Sequence, residues 1–312
     1  MDLPLSGRLA AMLHSLPDLE DALPVATAGF TQSAGFEQAL RALGQSVARI
    51  DGQLFISRRF PVLGPVGDCA KPAHIPASIL SGASPQGMAQ VLINAATPAQ
   101  GAALARAGFQ RLAKPRHSLN VPLTQNTAKM LARLHPKWRA ARKTALQRGA
   151  VARIRPFYTP HDRWLLAAEA AQRKRNHYDG IALALLAEIG LSKIQKLLYI
   201  CEGVSRQAAL VFSLSGHEAA YHINWRSADC PYGGHQMLLF AAMEYAAKRA
   251  QHFDLGLSEA DSPGLARFKR GTGAILLPLG GTWVLSRALA PLHRLARQTQ
   301  QPRAGGRNGG NL

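Results

Sequence analysis

The residues best suited to chemistry lie between Gly216 and Ala274. The stretch reads as a strand, AAYHINW, followed by RSADCPYGGHQMLL and a helix. A glycine-opened turn between strand and helix presents backbone N–H groups and the positive helix end, which suits an anion. Gly233 and Gly234 would let a backbone approach a phosphate closely, with Tyr232 and His235 bordering the turn; a Gly-Gly pair also serves as a plain turn. Tyr221 and His222 are neighbours on the strand, so alternation sends them to opposite faces and only one toward a cleft. His222 has the chemistry of a general base or of a structural strand histidine. Asp254 lies on the strand FDLGL next to Gly256, where it could position or deprotonate an amine or bond its own turn. Lys269 sits between a helical turn and Gly271/Gly273, where a ligand can approach, and suits an electrostatic role or a plain surface position. Arg139, Arg142 and Lys143 offer cations for anionic substrate groups or a solvated basic face. Cys230 has no partner histidine fixed by spacing, so no Cys–His nucleophile is argued.

These residues need elements to position them. Ser46–Arg59 alternates about Asp51-Gly52 and predicts a β-hairpin. Pro61, Gly64, Pro65 and Gly67 read as punctuation after it. A helix is expected around Gly7–His14 and another over Phe36–Leu43. Met88–Asn94 predicts a strand, Pro98–Ala107 a helix closed by Gly108, and Phe109–Leu123 a strand. One long helix is predicted over Thr127–Arg148, then strand Val151–Phe157 and helices over Asp162–Lys174 and Ile181–Ile189. Lys196–Cys201, Ala208–Leu214 and Ala219–Trp225 form an antiparallel meander. Helix Met237–Arg249, strand Phe253–Leu257, helical turn Ser262–Lys269 and a final strand pair, Ala274–Leu279 with Thr282–Leu285, complete the pattern. The second half thus repeats the first at greater length, which predicts two similar units: 1–126, 127–297 and a disordered tail, 298–312.

Composition narrows the class. The chain has 312 residues, 47% of them hydrophobic, enough to bury cores and too many for one. Three scattered cysteines give no disulfide framework and no zinc spacing, and no run is long enough to span a membrane, so a cytoplasmic protein is expected. The formal charge of +19 is uneven: residues 1–100 carry net −1, 101–200 net +15 and 201–312 net +5. No acidic residue occurs between Asp68 and Asp162. Such a field attracts polyanions, and its place across the proposed domain junction predicts an anionic donor or acceptor held in an interdomain cleft. Leu285–Arg297, LSRALAPLHRLAR, reads as a basic amphipathic segment suited to peripheral membrane contact.

One pattern is more specific. Asp254-Leu255-Gly256, then Gly264-Leu265, then Phe268-Lys269 with Gly271 and Gly273, resembles the C-terminal signature of the FemAB-like branch of the GNAT acyltransferase superfamily. Residues 135–154 resemble the basic helix and strand that open the second domain of those bacterial proteins, and residues 108–123 the end of their first. The resemblance covers roughly residues 40–285. It implies an α/β (α+β) protein of two tandem GNAT-like domains, with mixed, mostly antiparallel sheets flanked by helices and a shortened first domain. It also implies transfer of an acyl or aminoacyl group to an amine, with acyl-CoA or aminoacyl-tRNA as donor substrate, tRNA as an implied partner and no tightly bound cofactor. Lys269 matches the family's FK lysine, thought to face the reacting acyl group. The helical-hairpin arm of tRNA-using members is not visible in the sequence. A non-catalytic basic protein of the same fold, binding nucleic acid or an anionic membrane surface, is the competing expectation. Direct acyl transfer needs a neutral amine, proton removal and a donor for the developing oxyanion, and needs no covalent nucleophile when both substrates are held together.

Overall fold

A computed structural model describes residues 29–61, 64–82, 87–192, 197–203, 207–258 and 263–286. The expected opening helix, the 298–312 tail and nearly all of the basic segment after Leu285 lie outside the described residues.

In the first half, Ser33 caps helix α1 (Ala34–Ala42) by accepting from Phe36 N–H, and the helix buries Phe36, Ala39 and Leu40. Strands β1 (Ser46–Ile50) and β2 (Gln53–Phe60) form the predicted hairpin, with Asp51 at φ 47° and Gly52 at φ 78° supplying the turn. The proline- and glycine-rich exit, expected as punctuation, instead contains strand β3 (Gly64–Ala70). Neighbours on both sides override its weak propensity: β2 pairs antiparallel, and β4 (Gln90–Ala95) pairs parallel. A Cβ on Gly67 would lie 2.3 Å from Met88 Sδ, so a larger residue there would have to displace that side chain. A short helix α2 (Ala77–Leu80) lies between β3 and β4, and α3 (Pro98–Arg106) follows with Thr97 as cap. The single strand expected over 109–123 is two, β5 (Gln110–Ala113) and β6 (His117–Pro122).

The long helix expected over 127–148 is also two, α4 (Thr127–Arg133) and α5 (Pro136–Gln147). Pro136 cannot continue a helix and starts one instead; Leu134 is extended, with ψ 141°. Strand β7 (Ala152–Pro156), helices α6 (Thr159–Asn176) and α7 (Leu183–Ile189), and the meander β8 (Leu198–Gly203), β9 (Ala208–Ser215) and β10 (Glu218–Arg226) follow as expected. Then come α8 (Gly234–Ala246), β11 (His252–Leu257), α9 (Pro263–Arg270), β12 (Ile275–Pro278) and β13 (Gly281–Ser286).

Two sheets result, ordered β1-β2-β3-β4-β13-β5 and β12-β6-β11-β10-β9-β8-β7. Each has one parallel pair, β3/β4 and β10/β11, in an otherwise antiparallel ladder. The last two strands do not pair with each other as expected. β12 joins β6, while β13 enters the first sheet between β4 and β5. Trp283 and Leu285 bury there with Phe55, Val91 and Ile93, which outweighs a local hairpin. Sheet membership therefore does not follow a division at 126/127, since β6 lies in the second sheet and β13 in the first. The second sheet is covered on both faces, by α5 and α8 on one side and by α1, α6 and α7 on the other.

Candidate active site

Two irregularities in the second sheet shape the site. β10 and β11 pair in parallel only at Glu218↔His252, Ala219↔Phe253 and Ala220↔Asp254, after which β10 runs on to Arg226 without its neighbour. At that point β10 carries an extra residue between Tyr221 and Ile223, a bulge at His222. The bulge breaks the expected alternation, and Tyr221 and His222 both line one cavity of about 500 Å³. β11 breaks register between Asp254 and Leu257 against β6, with Gly256 at φ 81°.

That second break turns Gly256 N–H back onto Asp254. Asp254 Oδ1 accepts from Gly256 N at 2.7 Å and from Ser118 Oγ at 2.6 Å, and Oδ2 accepts from Lys71 Nζ at 2.6 Å. Lys71 follows β3 of the first sheet, so this ion pair joins the two sheets across the cavity. Its backbone has φ 44°, unusual outside glycine. The surroundings hold it there: Lys71 N donates to Asn94 O, Gln100 Nε2 to the Pro72 carbonyl, and Ala73 N to Gln53 Oε1. Such strain persists only where the surrounding structure fixes it in this way.

The charges follow from this packing. Burial alone would raise Asp254, but the charge and hydrogen bond of Lys71, then Ser118 and the Gly256 N–H, hold its carboxyl below the usual range. Burial would depress the Lys71 ammonium, yet Asp254 and then Glu218 raise it instead. The pair is ionised at neutral pH. His222 Nε2 meets Ser213 Oγ at 2.9 Å, and its ring packs on Phe30 with centroids 4.3 Å apart. Burial pushes His222 down to about 4, against the pull of Asp254 and with the push of Lys71, so it is neutral at pH 7.

The segment bearing Phe30 ties both halves together. Gln32 accepts from Leu54 N and donates to Ala70 O, Thr31 Oγ1 donates to Ala70 O, and Phe30 N donates to Glu218 Oε1. Phe36, Ile181, Leu277 and Leu279 add apolar walls to the cavity.

Of the residues picked from sequence, Asp254, His222 and Tyr221 come together here. Lys269 stands one layer back: it is 6% exposed, its Nζ donates to Leu257 O at 3.2 Å, and a Cβ on Gly256 would lie 3.8 Å from it. The Gly-Gly turn faces α5 rather than the cavity. Gly233 has φ 84°, and a Cβ there would lie 1.8 Å from Ala141 O, so its glycine allows close helix packing. His235 bonds Trp225 O at 3.0 Å, and Tyr232 is exposed. Arg139 donates to Leu131 and Ala132 carbonyls at the end of α4, Arg142 lies 4.4 Å over the Phe240 ring, and Lys143 is exposed. None of these three lines the cavity, whose one lysine or arginine among the described lining residues is Lys71. Of the cations in the acid-free stretch, Lys71 alone lines the cavity. Lys71, Ser118, Asn120, Glu218 and His252 were not picked out from sequence. Their signal was polar spacing of two in Ser118/Asn120 and His252/Asp254, and, for Lys71, the absence of any other lysine or arginine between Arg59 and Arg106.

These two sheets, with a parallel pair that splays over a cleft, form a FemX-like fold. The chain is similar in structure to FemX at TM-score 0.67 and 12% identity, covering 95% of this chain and 98% of that one. It is likewise similar to L-PGS from Bacillus licheniformis (TM-score 0.54, 12% identity, 88% and 98% covered). The C-terminal DUF2156 domain of a protein assigned as a lysylphosphatidylglycerol synthetase from Agrobacterium fabrum matches at TM-score 0.55 and 13% identity, over 85% and 92% of the chains. No family model matches the sequence, and no curated protein matches it.

Proposed function

We propose that the protein transfers an acyl or aminoacyl group from an activated donor to an amine by direct attack in the cleft. The observation that carries this reading is the parting of β10 from β11 beside the Lys71 ammonium. The freed edge of β10 suits an extended donor, and the cation suits a carbonyl oxygen gaining charge. The amine nitrogen attacks the donor carbonyl, forming the C–N bond. Collapse breaks the thioester C–S or ester C–O bond, and one N–H proton leaves with the thiol or hydroxyl. Lys71 stabilises the oxyanion, a contribution of about 10²–10³ in rate for one such donor. Asp254, its acceptor sites filled and its pKa low, positions Lys71 rather than taking the proton. Neutral His222 holds the reacting groups without adding charge. Lys269 supports the Gly256 turn from behind.

Acyl-CoA and aminoacyl-tRNA remain the two donor classes. None of the described helices is long and apolar enough to cross a membrane. Incubation with a panel of acyl-CoAs and aminoacyl-tRNAs plus simple amines, read by mass spectrometry of the amide, tests the reading. Amide formation lost in Lys71→Met supports it; no amide with any donor refutes it.

The exposed Lys137, Arg139, Lys143 and Arg148 of α5 and its C-terminal cap, outside the cavity, favour a second, compatible role in contact with a polyanion such as tRNA or an anionic membrane. Binding to that face weakens steeply with salt if this is right.

A further inference from the structure

Asp254 has three short donors on its two oxygens, at 2.6, 2.6 and 2.7 Å. Glu218 lines the same cavity two positions earlier in the same parallel register, opposite His252, so both carboxylates belong to one face of the sheet. Glu218 is far less satisfied. Its Oε1 meets Phe30 N at 3.5 Å and its Oε2 meets His252 Nε2 at 3.5 Å, both at the outer limit of a hydrogen bond. Its side chain is only 17% exposed. His252 is 8% exposed, and its Nδ1 is buried with no partner among the described residues. A half-buried carboxylate with two long contacts has acceptor capacity left for a better donor. Gly29 closes one side: a Cβ there would lie 2.7 Å from Glu218 Oε1, which leaves the cavity as the direction of approach.

The charge count points the same way. Among the described lining residues, Glu218 and Asp254 face one ammonium, Lys71, inside a chain of net charge +19. The cavity is thus cation-seeking within a basic molecule, and Phe36, Ile181, Leu277 and Leu279 offer an alkyl chain apolar walls.

We infer that Glu218, beside His252, is a binding site for a primary ammonium group carried on an alkyl chain. The site takes its meaning from the transferase reading, in which that group is the acceptor's amine before it loses a proton.

Calorimetric titration of the full chain with n-butylammonium tests it, with butyrate and 1-butanol as controls and Glu218→Gln and Glu244→Gln as variants; Glu244 lies outside the cavity. Saturable butylammonium binding at least tenfold tighter than either control, weakened at least tenfold in Glu218→Gln and unchanged in Glu244→Gln, is the expected result. Equal or tighter binding of butyrate overturns the site on the wild-type protein alone, even if Glu218→Gln does not fold. Unchanged butylammonium affinity, or unchanged KM for an amine acceptor, in folded Glu218→Gln also overturns it while leaving transfer itself intact. Glu218-dependent binding in a protein that forms no amide upholds the site and removes the transferase reading.

Discussion

Asp254 and Lys71 are 183 residues apart in sequence and 2.6 Å apart in space. Removing the cation leaves a carboxylate that is 5% exposed with hydrogen bonds but no counter-charge. Lys71→Met is expected to cost about 1–3 kcal/mol, less than a fully buried pair because the lysine side chain is 39% exposed; urea unfolding at pH 7 measures it. The pH dependence has a defined sign. Asp254 is lowered when folded, so its contribution is present above about pH 4 and lost as pH falls further. His222 is also lowered, to about 4, so the unfolded chain binds its proton first and stability falls as pH drops from about 6.5 toward 4. Replacing His222 by Phe flattens that limb, by roughly 2–3 kcal/mol between pH 7 and 4. Asp254 was legible from sequence because Asp-Leu-Gly ends a strand in a recognisable pattern. Lys71 was not, since a lone cation after an unpredicted strand gains its role only when the other sheet arrives.

At the scale of elements, the site is made by irregularities. The bulge at His222 and the Gly256 break bring Tyr221, His222 and Asp254 to one cavity, where regular pleating would have separated the first two. Local signals predicted what local physics decides: the Asp51-Gly52 hairpin, the capped helices and the meander. They failed where partners decide. β3 forms between two strands despite Pro65 and Gly67, and β12 and β13 part because Trp283 and Leu285 complete the other core. Trp283→Ala should therefore destabilise by about 3–5 kcal/mol, a core-scale effect from a residue near the end of the described chain. Gly233→Ala forces a Cβ toward Ala141 O at positive φ and should cost at least about 2 kcal/mol by thermal or urea unfolding. A change of less than about 0.5 kcal/mol would show that the turn is not packed against α5.

Across the whole molecule, β6 and β13 each serve the sheet of the other half, so neither half carries a complete sheet. A fragment of residues 127–297 lacks β6, the strand between β11 and β12, and is expected not to give a dispersed, cooperative fold by NMR or calorimetry; an independently folding fragment would contradict the topology. The repeated α/β order was visible in sequence, but the exchange was not, because it depends on which core has room. Charge behaved likewise: the basic middle stretch was plain to count, yet among the described lining residues the cavity holds two carboxylates and the single ammonium of Lys71. The most direct measurement is amide formation by wild-type protein and Lys71→Met, followed by mass spectrometry with aminoacyl-tRNA and acyl-CoA donors at a temperature where both proteins are folded. An amide from the wild type, formed at least about a hundredfold more slowly by Lys71→Met, is the predicted result; equal rates in the two proteins, or no amide from any donor, would contradict it.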